Sequence, residues 1–266
     1  MLGLGAGFYK LGGDAGSTYF TKGGGGTQSM AFDGVDQCVN INNLASTIAG
    51  TVNAEGIAFS ASAWIKIGAT SSSGNVFRMQ YDSNNLVNMI YHHGTAELRC
   101  TIRAGGTSKQ PKYEVAAGDT GITTSFRDDG VWHHVAMTAS SDDDEVILYV
   151  DGTARQTLGS LGTYSANDIN TAFIGQSTSD GGFWLGNLDE VAFWTIKLTS
   201  ANITTLYNSS AASGSKTLDL ASGTHVPVPV AWYRFEEPSG TVAINTADTS
   251  KNGTYINAPA ISTSVP

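Results

Sequence analysis

Residues Asp128–Gly152 read DDGVWHHVAMTASSDDDEVILYVDG. Val131, His133, Val135 and Met137 alternate with Trp132, His134, Ala136 and Thr138, and the same period of two returns in Val146–Val150. Two strands are predicted, each with one face toward a core and one away from it. Between them Ser140, Ser141, Asp142, Asp143 and Asp144 supply the polar, locally hydrogen-bonding side chains of a reversal, and Asp151-Gly152 signals the next tight turn. Outward from this hairpin the pattern stays β. Phe59, Ala61 and Ala63 alternate with Ser60, Ser62 and Trp64, and Val76–Tyr81, Leu86–His92 and Glu97–Arg103 follow at short spacing with turn residues between them. The stretch from Phe32 to Thr107 is therefore expected to be strands and loops throughout. Lys109–Phe126, with Pro111 and two glycines, reads as an inserted loop or an edge hairpin. One helix is expected, capped by Thr199 or Ser200, with Ile203, Leu206 and Tyr207 at helical spacing against the strands.

The bounds are consistent with one large domain. A chain of 266 residues buries enough surface to need neither disulfide nor metal for stability. Fourteen Lys and Arg against 23 Asp and Glu give a formal charge of −9, which argues against a nucleic-acid partner. No apolar run approaches the length of a membrane span, so membrane insertion is not expected. Cys38 and Cys100 pair only if the fold brings them together; free thiols are expected in a domain that needs no staple. The opening MLGLGAGFYKLGG has neither the basic start nor the continuous apolar stretch of a secretory signal, which leaves the compartment open.

The run W-H-H-V-A followed by L-Y-V-D-G resembles the laminin G-like branch of the concanavalin A-like jelly rolls. The likeness continues upstream in Met30–Asp36 and Phe59–Lys66, and downstream in Phe173-Ile174-Gly175, Gly186–Trp194 and Leu198–Asn208, so that order and spacing match over about residues 29–208. It implies an all-β jelly-roll sandwich with one short helix on its C-terminal side. Residues 1–28 precede it as a glycine-rich arm, in which glycine density disfavours regular structure. Leu2, Leu4, Phe8, Tyr9 and Leu11 are expected to anchor the arm on neighbouring subunits. The domain is expected over 29–266. Within it, residues 227–266, carrying Val230–Glu237 and Asp248–Thr254, resemble a strand and turn that usually come first in this family. They read as a permuted element returning to its slot, or else as a strand that pairs with another subunit.

The resemblance also implies a calcium ion between the first strand and the L-D-E strand, with Asp33, Asp36 and Asp189 at the matching positions. Their alternative role is structural, Asp33-Gly34 as a turn and Asp189 as an acceptor of backbone hydrogen bonds. The acidic tip Asp142–Glu145 lacks the glycine and distant Glu of an EF-hand and reads as a solvated turn. The adjacent pairs His92-His93 and His133-His134 diverge on a strand and read as structural. Asp189-Glu190 fails as a glycosidase pair, because strand neighbours point to opposite faces and no E-x-D-x-x-E spacing occurs. Without a nucleophile elbow, phosphate loop or C-x-x-C, no enzymatic activity is expected. Sugar rings stack on exposed aromatic faces; of Trp184, Trp232, Tyr81 and Tyr91, most are expected in the core, and Trp184, beside Gly181 and Gly182, is the expected platform.

Two functions follow. The order of elements resembles that of virion proteins of tailed bacteriophages, which implies a noncatalytic capsid-decoration or tail-associated protein, located in the virion and partnered by itself as a homo-oligomer and by other virion proteins. The alternative is a lectin-like module, secreted or on a cell surface, whose partner is a surface glycan.

Overall fold

The computed structural model describes residues 8–9, 20–21, 26–49, 52–53, 56–68, 73–114, 130–161, 169–177, 181–211, 218–237 and 240–266. In chain order the strands begin with β1 (Phe8–Tyr9), β2 (Phe20–Thr21), β3 (Ser29–Asp33), β4 (Cys38–Asn40), β5 (Val52–Asn53), β6 (Gly56–Ile67), β7 (Gly74–Asp82), β8 (Asn85–His92), β9 (Glu97–Ala104) and β10 (Thr107–Lys109). They continue as β11 (Lys112–Glu114), β12 (His133–Ser140), β13 (Glu145–Val150), β14 (Thr153–Gly159), β15 (Thr171–Ile174), β16 (Leu185–Trp194), β17 (Ala231–Tyr233), β18 (Val242–Ala243), β19 (Gly253–Ile256) and β20 (Ala260–Ser262). Helix α1 spans Asn42–Ala49 and α2 spans Ser200–Ala211.

Two antiparallel sheets face each other. Sheet I runs β10-β9-β8-β7-β15-β4-β19-β18, with β11 also on β9; sheet II runs β14-β13-β12-β6-β16-β3-β20, with β17 on β16 and β5 on β6. The inner faces meet in one core that includes Phe59, Phe77 and Phe193. Their ring centroids lie 6.2, 5.1 and 6.5 Å apart, distances at which each aromatic pair contributes about 1 kcal/mol beyond its buried area.

The hairpin from which the sequence was read forms as expected, with β12 against β13 from Val135↔Val150 to Ser140↔Glu145. Val135, Met137, Val146, Leu148 and Val150 enter the inter-sheet core. The opposite face is not solvated. Ala136, Ile147 and Tyr149 join Ala192, Trp194, Trp232, Ile203 and Leu206 in a second buried cluster under α2. Thr199 begins that helix: its Oγ1 accepts from the backbone N of Asn202, whose Oδ1 accepts from the Thr199 backbone N at 3.1 Å and hydroxyl at 2.8 Å. This reciprocal pair satisfies amides that the first turn leaves without helical partners. Tyr207 stacks on Trp64 of β6 at 6.0 Å between centroids. Gly152 permits the approach, since a Cβ there would lie 2.9 Å from the Tyr207 ring and its φ of +72° disfavours any other residue.

Three departures from the sequence expectations are physical. Residues 42–49 form a helix where strands and loops were expected; eight residues are too few to be helical by propensity. Tertiary contact holds α1, through burial of Leu44, Ala45 and Ile48 in the core and hydrogen bonds from Asn42 N to Asn40 Oδ1 and from Ala172 N to Asn42 Oδ1. At the start of the organising stretch Val131 is exposed, and the strand begins at His133. At Glu190 the alternation breaks, because φ of +49° and a register shift between Asp189 and Ala192 mark a bulge.

The C-terminal segment is built into the sandwich at both sheets. β17 pairs with β16, β19 with β4, and β20 with β3. Tyr233 is buried in the core and its hydroxyl donates to the Lys251 carbonyl at 2.8 Å. Of the arm, Phe8–Tyr9 pairs antiparallel with Phe20–Thr21; Leu2, Leu4 and Leu11 lie outside the described residues.

Candidate functional site

The outer faces of the two sheets differ. That of sheet II is sealed by α2 and the segment through Leu220 and Val226. The outer face of sheet I is polar, and register fixes its composition. Inward residues of β8 and β9 are Val87, Met89, Tyr91 and Leu98, Cys100, Ile102, so the alternate residues point outward. Reading across the ladder, Thr101 (β9) pairs with Asn88 (β8), Asn88 with Arg78 (β7), Arg78 with Phe173 (β15), Phe173 with Asn40 (β4) and Asn40 with Thr254 (β19). A second row runs Arg103, Leu86, Gln80 and Thr171, a third Arg99, Ile90 and Asn75, and a fourth Glu97 and His92. Helix α1 turns its apolar residues into the inter-sheet core, not over these rows.

The face is ordered by its own hydrogen bonds. Arg78 Nε donates to Gln80 Oε1 at 2.6 Å, Arg103 Nε to Ser108 Oγ at 2.6 Å, and Arg103 Nη1 to the Ser83 carbonyl at 3.0 Å. Asn88 Nδ2 donates to Asn75 Oδ1 at 2.9 Å, and Gln110 Nε2 to Thr101 Oγ1 at 3.3 Å. Glu97 is neutralised by Arg99 and Lys112. Burial, reinforced by the charge of Arg103, lowers the pKa of Arg78 from its usual value. The His92 imidazole is likewise held below its usual value, first by burial and then by Arg99, with Glu97 opposing. Phe173 is half-buried in the middle of the first row. Sequence reading passed over it as a platform, although Ala172 and Ile174 on either side face the core and so turn Phe173 outward.

The residues expected to act sit elsewhere. Trp184 is 1% exposed and belongs to the inter-sheet core, so it is no sugar platform. Its backbone N donates to the Gly175 carbonyl at 2.8 Å, and Gly74 lets the strands close on it, where a Cβ would lie 2.6 Å from the Phe183 carbonyl oxygen. Trp232 and Tyr91 are equally buried, whereas Tyr81 is exposed. Asp33 Oδ1 accepts from the backbone N of Val35 at 2.8 Å and of Asp36 at 3.4 Å, closing the β3–β4 turn. Asp189 is fully buried and its Oδ1 accepts from the Glu190 backbone N.

Calcium does not fit this donor set. Leu185 is the register partner of Asp33, and Asp189 lies four residues further along β16, about 13 Å at strand rise. Ligands of one ion at about 2.4 Å must lie within about 5 Å of each other. Among the described residues no group of three His, Cys, Asp or Glu is placed to hold a metal.

His134 is buried and its pKa is lowered to about 4 by burial, with Asp151 opposing; His133 Nδ1 lies 2.8 Å from Asp151 Oδ2. Asp144 accepts from the backbone N of Ser160 and Leu161, and Lys197 pairs with Asp143 and Glu145, so the acidic tip is tied down within the fold. Glu190 is engaged by the Trp232 indole N–H and by Arg234 at 3.3 Å. Cys38 and Cys100 are free and buried. A cleft of about 520 Å³ beside α2, lined in part by Thr205, Asn208, Asp219 and His225, carries no Phe, Tyr or Trp among its described lining residues.

The chain is an antiparallel sandwich with the outer face of one sheet sealed by a helix and that of the other lined by polar side chains. The chain belongs to the concanavalin A-like lectin/glucanases superfamily, whose laminin G-type family model matches residues 33–204. No curated protein matches the sequence. In fold it is similar to a Bacteroides ovatus protein assigned as carbohydrate binding, at 15% identity and a TM-score of 0.56 over 92% of this chain and 62% of that one. It is also similar to the CBM40 of the Ruminococcus gnavus IT-sialidase, at 10% identity and a TM-score of 0.52 over 68% and 97% of the two chains. A third likeness is to the NanB sialidase of Streptococcus pneumoniae, at 15% identity and a TM-score of 0.51 over 68% and 27%. The chain thus spans less than two thirds of the length of the B. ovatus protein. No helix among the described residues is long and apolar enough to cross a membrane.

Proposed function

We propose that this domain is a noncatalytic carbohydrate-binding module that engages a glycan across the outer face of sheet I. The observation that carries this reading is the row Thr101, Asn88, Arg78, Phe173, Asn40 and Thr254 across six adjacent strands. A sugar presents hydroxyls at its edge and C–H groups on its face; Asn88 and Thr101 are buried, and the accessible part of the row, Arg78, Phe173, Asn40 and Thr254, offers a guanidinium, a phenyl ring, an amide and a hydroxyl. The names of two fold neighbours, a carbohydrate binding protein and a CBM40, agree with it. Hydrolysis has no support in the carboxylates considered, since Asp189 is buried and Glu190 is held by Trp232 and Arg234. A surface glycan as partner, and a secreted or cell-surface location, follow from this reading. It is better supported than virion assembly, which rests on the order of elements and on an arm lying mostly outside the described residues.

The test is a glycan array with the full chain, followed by titration of the best ligand into the wild type and Phe173→Ala. Selective binding that weakens at least about tenfold in the variant, with the melting temperature kept, is expected. An array on which nothing binds overturns the proposal.

A further inference from the structure

Three of the six arginines of a chain with net charge −9 stand on one sheet face. The carboxylates of these rows are Glu97 and, in register with it on β11, Glu114; Glu97 is paired with Arg99 and Lys112, and Glu114 with Lys112. Arg78 and Arg103 are half-buried and form no ion pair among the described residues. Both are oriented by neutral partners, Arg78 by Gln80 and Arg103 by Ser108 and the Ser83 carbonyl, and among the described residues the terminal nitrogens of Arg78 make no hydrogen bond. Like charges gathered on a partly desolvated surface repel, and an anion docked between them relieves that cost. The depressed pKa of Arg78, from burial and then Arg103, reports the same positive field. Asn88 lies between Arg78 and Thr101 in register and is 4% exposed; its Nδ2 donates to Asn75, while among the described residues its buried Oδ1 accepts no hydrogen bond. Such an acceptor suits a donating hydroxyl beside the anion.

We infer that the glycan bound on this face is an acidic one, with the carboxylate of a uronic-type or other carboxylated sugar docked on Arg78 and supported by Arg103. The inference rests on the carbohydrate-binding reading above and specifies its ligand class. A planar guanidinium matches a carboxylate through two parallel N–H donors, whereas two such groups on a strongly acidic protein are too few to hold a nucleic-acid backbone. Phe173, adjacent to Arg78 in the row, then takes the apolar face of the same or the next ring.

The experiment is titration of the full chain with two matched pairs, oligogalacturonate against its methyl ester and sialyllactose against lactose, together with an array of neutral and carboxylated glycans. Selection of carboxylated glycans, with loss of at least about tenfold on esterification or removal of the acidic sugar, is the expected result. Arg78→Ala loses binding by a similar factor, Arg78→Lys by less, and raised salt weakens the wild type. Arg155→Gln is the control, because that guanidinium lies over Tyr113 at 4.7 Å and outside the four rows. Equal binding of acid and ester, binding confined to neutral glycans, or an Arg78→Ala variant that melts and binds like the wild type overturns the acidic-ligand inference while leaving the carbohydrate-binding reading intact. A chain that binds no glycan of either kind overturns both.

Discussion

Acid sensitivity should trace in part to one imidazole. His134 is 2% exposed, between Trp64 at 5.3 Å and Tyr207 at 6.3 Å, and its pKa falls from 6.5 to about 4 because burial penalises the charged ring. Asp151, the nearest counter-charge, offsets only part of that penalty. Above pH 6.5 the ring is neutral in the folded and unfolded chain alike, and nothing is lost. Between pH 6.5 and about 4 the unfolded chain takes up a proton that the native chain refuses, so stability falls as pH falls. Below about 4 both forms are protonated and the loss is complete. The gap is about two and a half pH units, which at 1.36 kcal/mol per unit amounts to about 3 kcal/mol. Urea melts followed by tryptophan fluorescence, on the wild type and on His134→Gln and His134→Phe, isolate this contribution because titrating carboxylates cancel in the difference. The wild type should lose ground to either variant by up to about 1.4 kcal/mol per pH unit across that window. A difference that stays constant within about 0.5 kcal/mol from about pH 7 to about pH 4.5 would refute the reasoning.

Other consequences are simpler to read. Trp184→Ala should lower unfolding stability by about 3–5 kcal/mol as a core truncation, measured by denaturant titration, and should not remove sugar binding selectively. Thr199→Ala removes the α2 cap and should cost about 1 kcal/mol, with thermal melts as the check. Burial pushes the Cys38 thiol up to about 12 and raises Cys100 as well, so a thiol reagent at neutral pH should label neither in the native chain and both after unfolding. Melting in calcium and in a chelator should give the same midpoint, because Asp33 and Asp189 stand too far apart along the ladder to share an ion.

Much of the fold was legible in the chain. Period-two runs located β6, β8, β9, β12 and β13, and the Thr199 cap with Ile203, Leu206 and Tyr207 located α2, because these signals are local and set by backbone geometry. Helix α1 was missed since its eight residues are helical through core contacts rather than propensity. Trp184 was misjudged because flanking glycines signal loose chain, whereas here Gly74 lets the chain close on the Phe183–Trp184 backbone and the indole is buried in the core. The site is of the same kind. Alternation alone turns Phe173 away from Ala172 and Ile174, but it cannot say whether another layer covers that side. In sheet II a helix does cover it, and the expectation that one face of β12 and β13 turns away from a core fails at Ala136, Ile147 and Tyr149. Asn40, Arg78, Asn88, Phe173 and Thr254 come together through pairings between strands far apart in sequence. Local sequence sets which residues share a face of one strand; only long-range strand order sets which faces become neighbours and which remain open to a ligand.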